Sequence, residues 1–158
     1  MNEMSARRRR PLIGWLVGLG ASMTTLAGLW IWYTSEPTPG DAADPDQVAF
    51  GARVYARICA NCHGSGLDGQ LGWQEPLKDG TRLAPAHNAD GKAWRLSNQD
   101  LFKVVKLGGR YLNPDGGASR MPAFGDKLTD QEIWSVIAFI KSNWPANLQK
   151  AQQQATVQ

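Results

Sequence analysis

Two cysteines followed directly by a histidine constrain this chain more than any other feature. They lie in residues 59–63 (CANCH), where an amphipathic stretch runs into Gly64. This spacing is typical of covalent haem attachment, in which both thiols bond to the porphyrin and the histidine ligates its iron. The pattern therefore predicts a turn that presents Cys59 and Cys62 to one edge of a haem c and places His63 under its iron.

Other uses of a Cys-x-x-Cys pair fit the chain less well. The chain has only two cysteines and two histidines, so a four-ligand structural zinc site would have to recruit carboxylates. A thioredoxin-like redox pair follows a strand and opens a helix, whereas this pair closes a predicted helix. The short loop and the adjacent histidine disfavour a structural disulfide. Haem attachment is therefore the favoured interpretation.

The positive charge of the chain lies at its N-terminal tip. The net charge is +3, and the four arginines at positions 7–10 set against Glu3 account for it. Since the remainder is formally neutral, the basic composition gives no support for nucleic-acid binding. With 158 residues and 17 glycines, the chain suits one small, loop-rich domain with an accessory segment. A haem would give such a domain a large apolar plate for its core.

Residues 11–33 contain no charged side chain. At about 1.5 Å per residue, a helix of this length crosses a hydrocarbon core of about 30 Å. Aromatic residues lie at both ends, as in membrane-interface belts (Trp15, Trp30, Trp32 and Tyr33). The arginines predict that residues 1–10 form a basic cytoplasmic tail. We therefore expect a single transmembrane anchor in a bacterial inner membrane, with the haem domain in the periplasm.

A cleaved signal peptide is the alternative interpretation of this segment. Its apolar region typically runs about 7–15 residues and ends at a small-x-small site. The apolar run here is longer, and residues 30–33 (WIWY) stand where cleavage is expected. A paired-arginine export signal finds no other support in the run. The pattern favours a retained anchor, and both interpretations export the haem domain.

The remaining segments divide into a linker, a haem domain and a tail. Residues 34–46 hold three prolines and four acids, which predicts a semi-extended linker. Residues 47–145 form the predicted haem domain. Residues 146–158 are Gln-rich with almost no bulky groups, which predicts a flexible tail.

Capping residues predict three helices in the haem domain. Asp44 as N-cap and Pro45 at the first position begin one helix, which leads into the haem motif. Residues 97–100 (SNQD) cap a short central helix. Thr129 with Glu132 forms a capping box for a last helix that reaches about Asn143.

Small and aromatic residues predict how the outer two helices meet. Gly51 and Tyr55 share the apolar face of the first helix. Gly51 allows another helix to approach closely, and we expect Trp134 of the last helix to be the partner of both. This contact predicts a crossed helix pair that closes the fold.

Met121 is the second residue on which function depends. The other three methionines lie within the first 23 residues, so Met121 is the only thioether of the predicted haem domain. It stands in a glycine-rich loop before Pro122, rather than on an apolar stripe typical of core methionine. We expect its sulfur to ligate the iron opposite His63, a pairing that raises the reduction potential.

Taken together, the CANCH motif, the Gly51/Tyr55 and Trp134 helix pair and the Met-Pro before the last helix resemble class I c-type cytochromes of the bacterial monohaem kind. The resemblance covers residues 45–145. It implies an all-α, small cytochrome c fold around one covalent haem, and outer-sphere electron transfer. In this family a proline carbonyl holds the Nδ1 proton of the axial histidine. Pro85 and Pro76 are both candidates here, and we favour Pro85.

His87 is the alternative sixth ligand. It would give a bis-histidine haem of lower potential, but it stands among polar residues in the loop expected on the His63 side. We expect a solvated surface histidine.

Three functions fit these features. The first is a membrane-anchored electron carrier that meets a redox donor and acceptor in turn, steered by basic groups (Lys103, Lys106, Arg110 and Lys127). The second is a fixed electron-transfer subunit of a membrane oxidase or dehydrogenase. The third is a five-coordinate haem sensor or enzyme, which requires Met121 to be labile. No paired carboxylates or nucleophile–base pair supports independent catalysis, so we predict a carrier rather than an enzyme.

Overall fold

The computed structural model describes residues 38–112 and 119–157. Helices make up its regular structure: α1 (Pro45–Val54), a π-helical turn (Tyr55–Cys59), α2 (Ala60–His63), a 3₁₀ turn (Ala93–Arg95), α3 (Asn98–Leu107), a 3₁₀ turn (Gly109–Leu112), α4 (Asp130–Ser142) and α5 (Ala146–Val157). Within these ranges there is no strand, only an isolated parallel bridge between Arg82 and Ser119. The described domain is therefore all-α, as predicted.

The predicted basic tail (1–10), the predicted transmembrane anchor (11–33) and the first part of the linker lie outside the described residues. Of the helices that the structure does describe, none combines the length and apolar character needed to cross a membrane.

The end of the linker is folded onto the domain, so a semi-extended conformation is wrong for residues 38–44. Asp44 caps α1 as predicted, accepting hydrogen bonds from the backbone N–H groups of residues 46 and 47. The Gln47 side chain donates to the Thr38 carbonyl at 3.0 Å and accepts from the Gly40 N–H at 3.1 Å. Gly40 is buried against Trp134 and Ile137. These contacts fix the chain where it enters α1.

The predicted crossing of α1 and α4 is present, but the side chains that meet there differ. A Cβ at Gly51 would lie 1.8 Å from the Ser135 carbonyl oxygen, so only glycine permits this approach. Tyr55 packs against Phe139, with ring centroids 5.2 Å apart. The prediction that Trp134 partners Gly51 and Tyr55 is wrong, because Trp134 stacks on α3 instead.

Trp134 joins α4 to α3. Its ring stacks on Phe102 at 4.6 Å between centroids. The Ser97 side chain caps α3 by accepting from the Asp100 N–H, and the Thr129/Glu132 capping box begins α4, both as predicted. Cap signals are local in sequence, whereas the rotation of α4 that decides which neighbour Trp134 meets depends on the whole core.

The C-terminal segment forms a helix, so the prediction of a flexible tail over 146–158 is wrong for residues 146–157. Gln152 of α5 is completely buried, and its amide donates to Asn98 Oδ1 at 2.8 Å and to the Leu96 carbonyl at 3.2 Å. Asn98 also accepts from Lys141 Nζ at 3.0 Å. Alanine and glutamine are good helix formers, and these long-range hydrogen bonds supply the docking that composition does not show.

Candidate haem site

The haem motif follows an irregular stretch of helix. The Ala60 N–H donates to the Tyr55 carbonyl five residues earlier, which is a π-helical turn of the kind often found at functional sites. Cys59 ends this turn, α2 carries Cys62 and His63, and Gly64 caps α2 with a φ of +78° that suits glycine. The turn places Cys59 half-buried and Cys62 exposed, and both are free thiols. Two thiols are thus available on one turn.

The Cys59 thiol is held in its neutral form. Burial raises the pKa of Cys59 to about 11, with a further contribution from Cys62. Because its pKa is raised, Cys59 is largely protonated at neutral pH. The thiolate, which is the reactive species, is therefore a minor form.

His63 is buried, and the direction of its ring is defined. Nδ1 lies 2.8 Å from the Pro85 carbonyl oxygen. A carbonyl can only accept, so Nδ1 carries the proton and Nε2 keeps its lone pair for a metal. Burial lowers the pKa of His63, and the hydrogen bond to Pro85 opposes this shift. Of the two prolines considered from sequence, the structure places Pro85 at the ring.

The loop after α2 brings Pro85 to His63. The Gly69 N–H donates to the His63 carbonyl at 2.9 Å, and the Gln70 N–H donates to the Ala84 carbonyl at 3.0 Å. A Cβ at Gly69 would lie within 2.9 Å of the backbone of residues 84–86. We call residues 59–69 and 84–87 the His63 side of the site.

His87 is half-buried and its ring lies on the His63 side, so the prediction of a solvated surface histidine is wrong. Its ring stacks on the His63 ring, with centroids 3.9 Å apart and planes 15° apart. Burial lowers the pKa of His87 well below 6.5, with a further contribution from His63. Because the two rings stack, His87 is on the same face as His63, which disfavours it as the ligand on the opposite face of a haem. Polar neighbours in sequence gave no signal of this burial.

Met121 is half-buried in a loop, residues 119–125, that we call the Met121 loop. Its N–H donates to Ser119 Oγ at 3.2 Å, and its carbonyl accepts from the Gly109 N–H at 3.1 Å. Sequence reasoning did not identify Ser119, for which no motif gives a signal. None of the hydrogen bonds of the described residues joins Met121 to the haem motif.

The rest of the Met121 loop completes the end of α3. The N–H groups of Phe124 and Gly125 donate to the carbonyls of Val105 and Lys106 at 3.1 and 3.0 Å. These carbonyls would otherwise lack partners at a helix C-terminus. The bridge between Arg82 and Ser119 also joins the Met121 loop to the segment that leads to Pro85. The Met121 loop therefore adjoins the segment whose Pro85 carbonyl holds the His63 ring.

The donor groups present fit a covalent haem. Cys59 and Cys62 can form the thioether bonds, His63 offers Nε2 as an iron ligand, and Met121 has a thioether. By contrast, the described part of the chain contains no group of three or more His, Cys, Asp or Glu side chains that could hold a metal ion directly. This donor set disfavours the zinc interpretation.

Tyr55 supports the haem motif through its hydroxyl, whereas the sequence predicted only a packing role for it. Its hydroxyl lies 3.1 Å from the Gly64 carbonyl and 3.4 Å from the His63 carbonyl, and it donates to this pair. Burial raises the pKa of Tyr55, so the hydroxyl remains a donor at physiological pH. It ties the end of the haem motif to the start of the π-helical turn.

Comparisons with known proteins place the chain among c-type cytochromes. Residues 46–140 match the family described as cytochrome C oxidase, cbb3-type, subunit III. The subunit FixP of the cbb3-type cytochrome c oxidase of Sinorhizobium medicae is 33% identical over 97 residues, which are 60% of this chain and 29% of FixP. The gluconate 2-dehydrogenase cytochrome c subunit of Pantoea cypripedii is 32% identical over 63% of this chain and 21% of its own length. The chain thus spans less than a third of these relatives.

Two further comparisons cover most of both chains. Cytochrome c6 of a Picosynechococcus species is 30% identical over 122 residues, which are 77% of this chain and 89% of the relative. The crystal structure of cytochrome cL from Methylophaga aminisulfidivorans aligns with a TM-score of 0.51 at 19% identity, over 77% of this chain and 79% of that one, which supports the fold alone. On these matches and the donor set, the chain belongs to the family of cytochrome c oxidase, cbb3-type, subunit III, and is a class I c-type cytochrome with one covalent haem c.

Proposed function

We propose that this protein is a membrane-anchored electron carrier whose haem c is ligated by His63 and Met121. The observation that carries the proposal is the His63 ring, which is buried with Nδ1 2.8 Å from the Pro85 carbonyl, so that Nε2 is free to bind iron. When bound, the haem supplies one-electron chemistry at its iron. His63 and Met121 would occupy both axial positions and leave none for a substrate, which favours a carrier over an enzyme or a gas sensor.

The proposed location rests on the N-terminal sequence. The uncharged residues 11–33 and the arginines that precede them favour a single-pass anchor in a bacterial inner membrane. The N-terminus would then lie in the cytoplasm and the haem domain in the periplasm. This topology keeps the haem beside the membrane, where respiratory electron donors and acceptors act.

A basic surface with exposed leucines supports an acidic redox partner. No described residue forms an ion pair with Lys103, Arg110 or Lys127, so their charges remain available to a partner. Leu107 and Leu112 nearby in the chain are 57% and 43% exposed. Basic groups steer an acidic protein, and exposed apolar side chains add contact area once it docks.

A fixed subunit of a larger membrane complex is the second candidate. The family description and two of the relatives name subunits of an oxidase or a dehydrogenase, and this observation favours the candidate. The chemistry at the haem is the same in both cases. The difference is whether the domain leaves its partner between electron transfers.

Solubilisation of the full-length protein from its own membranes tests both candidates. We expect haem-stained protein in the membrane fraction, resistant to a high-salt wash, and released when residues 11–33 are replaced by a cleavable export signal. Elution as a single chain in mild detergent supports the carrier, and elution with stoichiometric partner chains supports the subunit. A wild-type haem that binds carbon monoxide readily would contradict six-coordinate ligation and favour the sensor or enzyme.

A further inference from the structure

We propose that His87 is a positioning residue that sets the plane of the His63 ring. The inference rests on the proposed function only in that His63 ligates the haem iron. It does not depend on the sixth ligand, on the membrane anchor or on the identity of the partner.

Two contacts constrain the orientation of the His63 ring, and each constrains it in a different way. The Pro85 carbonyl holds one corner of the ring at Nδ1, which selects the tautomer but leaves the ring able to rock about that hydrogen bond. The His87 ring covers a face, with 3.9 Å between centroids and 15° between planes. A flat neighbour at van der Waals distance blocks that rocking, so the two contacts together define the ring plane.

His87 is itself held on several sides. Its N–H donates to the Leu67 carbonyl at 2.8 Å, and its carbonyl accepts from Trp144 Nε1 at 2.7 Å. The Tyr55 ring meets its edge at 5.8 Å between centroids. A platform fixed in this way can hold the orientation of the ring stacked upon it.

The position also carries a cost that packing alone does not explain. Nδ1 of His87 is buried without a hydrogen-bond partner among the described residues, and an unpaired buried polar atom destabilises the fold. A leucine would fill an apolar space without this cost. What the imidazole adds is a flat, rigid face against the axial ligand.

The consequence lies in the electronic structure of the iron. Groups that orient a metal ligand tune the metal as well as the geometry. The plane of an axial imidazole decides the direction of the ferric iron's singly occupied orbital. This direction is recorded in the g values of the ferric electron paramagnetic resonance spectrum and in the NMR shifts of the haem methyl groups, which do not depend on overall stability.

The test compares four full-length, haem-loaded proteins: wild type, His87→Leu, His87→Phe and Gln152→Leu. Phenylalanine keeps a flat ring on His63, whereas leucine does not. Gln152 is the matched control, because it is the other described residue with a buried, unpartnered side-chain atom. Its hydrogen bonds are to α3, α5 and the segment before α3. Ferric g values, haem methyl shifts and reduction potentials are measured for each.

We expect His87→Leu to change the g values and the spread of the methyl shifts, His87→Phe to stay close to wild type, and Gln152→Leu to lower the melting temperature without moving either spectrum. Unchanged spectra in His87→Leu, or equal changes in the leucine and phenylalanine variants, would overturn the proposal. If His87→Leu does not accumulate with haem, His87→Gln replaces it, since glutamine also lacks a flat ring. A wild-type spectrum without Met121 ligation would count against the proposed function, whereas the His87 comparison is judged only between variants.

Discussion

The His63 side and the Met121 loop hold their predicted ligands in different ways. On the His63 side, the side chain itself is fixed, by the Pro85 carbonyl at Nδ1 and by the stacked ring of His87. In the Met121 loop, the hydrogen bonds hold the backbone of Met121 through Gly109 and Ser119. One ligand is therefore oriented by the protein before haem binds, while the other has a positioned backbone and a thioether that the iron must hold.

Removal of both thiols tests the His63 side with the largest expected effect. We expect Cys59→Ala/Cys62→Ala to lose all covalently bound haem, because no other cysteine exists in the chain. Haem staining after denaturing electrophoresis measures the loss. Met121→Ala is the control and should keep its covalent haem in full. Covalent haem in the double variant would show that the attachment site is misidentified.

Gly51→Val tests the helix crossing behind the His63 side. A Cβ at this position would lie 1.8 Å from the Ser135 carbonyl oxygen and 2.4 Å from its carbon, and neither backbone can move without separating α1 from α4. We expect a loss of about 3 kcal/mol or more in the free energy of unfolding, measured by urea denaturation. Ala49→Val on the exposed face of α1 should cost about 0.5 kcal/mol. Equal losses would contradict the close approach.

Lowering the pH should reduce the free energy of unfolding through His87, on the His63 side. Burial lowers the pKa of His87 well below 6.5, so below pH 6.5 the unfolded chain binds a proton that the folded chain does not. Stability therefore falls as pH falls through this window, by about 1.4 kcal/mol per pH unit for one proton. We expect His87→Leu to remove that part of the slope in urea denaturations between pH 6.5 and 5, and Gln152→Leu to keep it. Parallel slopes for His87→Leu and wild type would be evidence against a buried neutral imidazole.

Ser119→Ala tests the Met121 loop with the smallest expected effect. The variant loses the hydrogen bond from the Met121 N–H, worth about 1 kcal/mol. We expect added imidazole to displace Met121 at about fivefold lower concentration, followed as the loss of the sulfur-to-iron absorption band. Ser65→Ala, an exposed serine on the His63 side, should leave this concentration unchanged. An equal response in both variants would mean that the hydrogen bond does not position Met121.

Local signals in the sequence predicted much of the fold. The caps Asp44, Ser97 and Thr129 begin the helices where expected, because a cap needs only a side chain and the N–H groups of the next turn. The haem motif was predicted from residue type and spacing, and the resemblance to c-type cytochromes implied a proline carbonyl at its histidine, for which Pro85 was favoured over Pro76. None of these predictions required knowledge of which elements pack together.

The errors concern contacts between residues distant in sequence. Gln152 docks α5 through Asn98, 54 residues away, so a Gln-rich composition alone suggested a tail. Trp134 meets Phe102 rather than Gly51 because the rotation of α4 is set by the complete core. His87 has polar neighbours in sequence, yet the loop folds its ring onto His63. Each error arose where tertiary packing overrode a local preference.

The most direct test of the account is the absorption spectrum of the oxidised full-length protein and of Met121→Ala, recorded across the weak sulfur-to-iron band at the red end of the visible range. We expect the band in wild type and its loss in the variant, together with a lower reduction potential, because a thioether ligand favours ferrous iron. A wild-type spectrum without the band, or a band that survives in Met121→Ala, would contradict ligation by His63 and Met121.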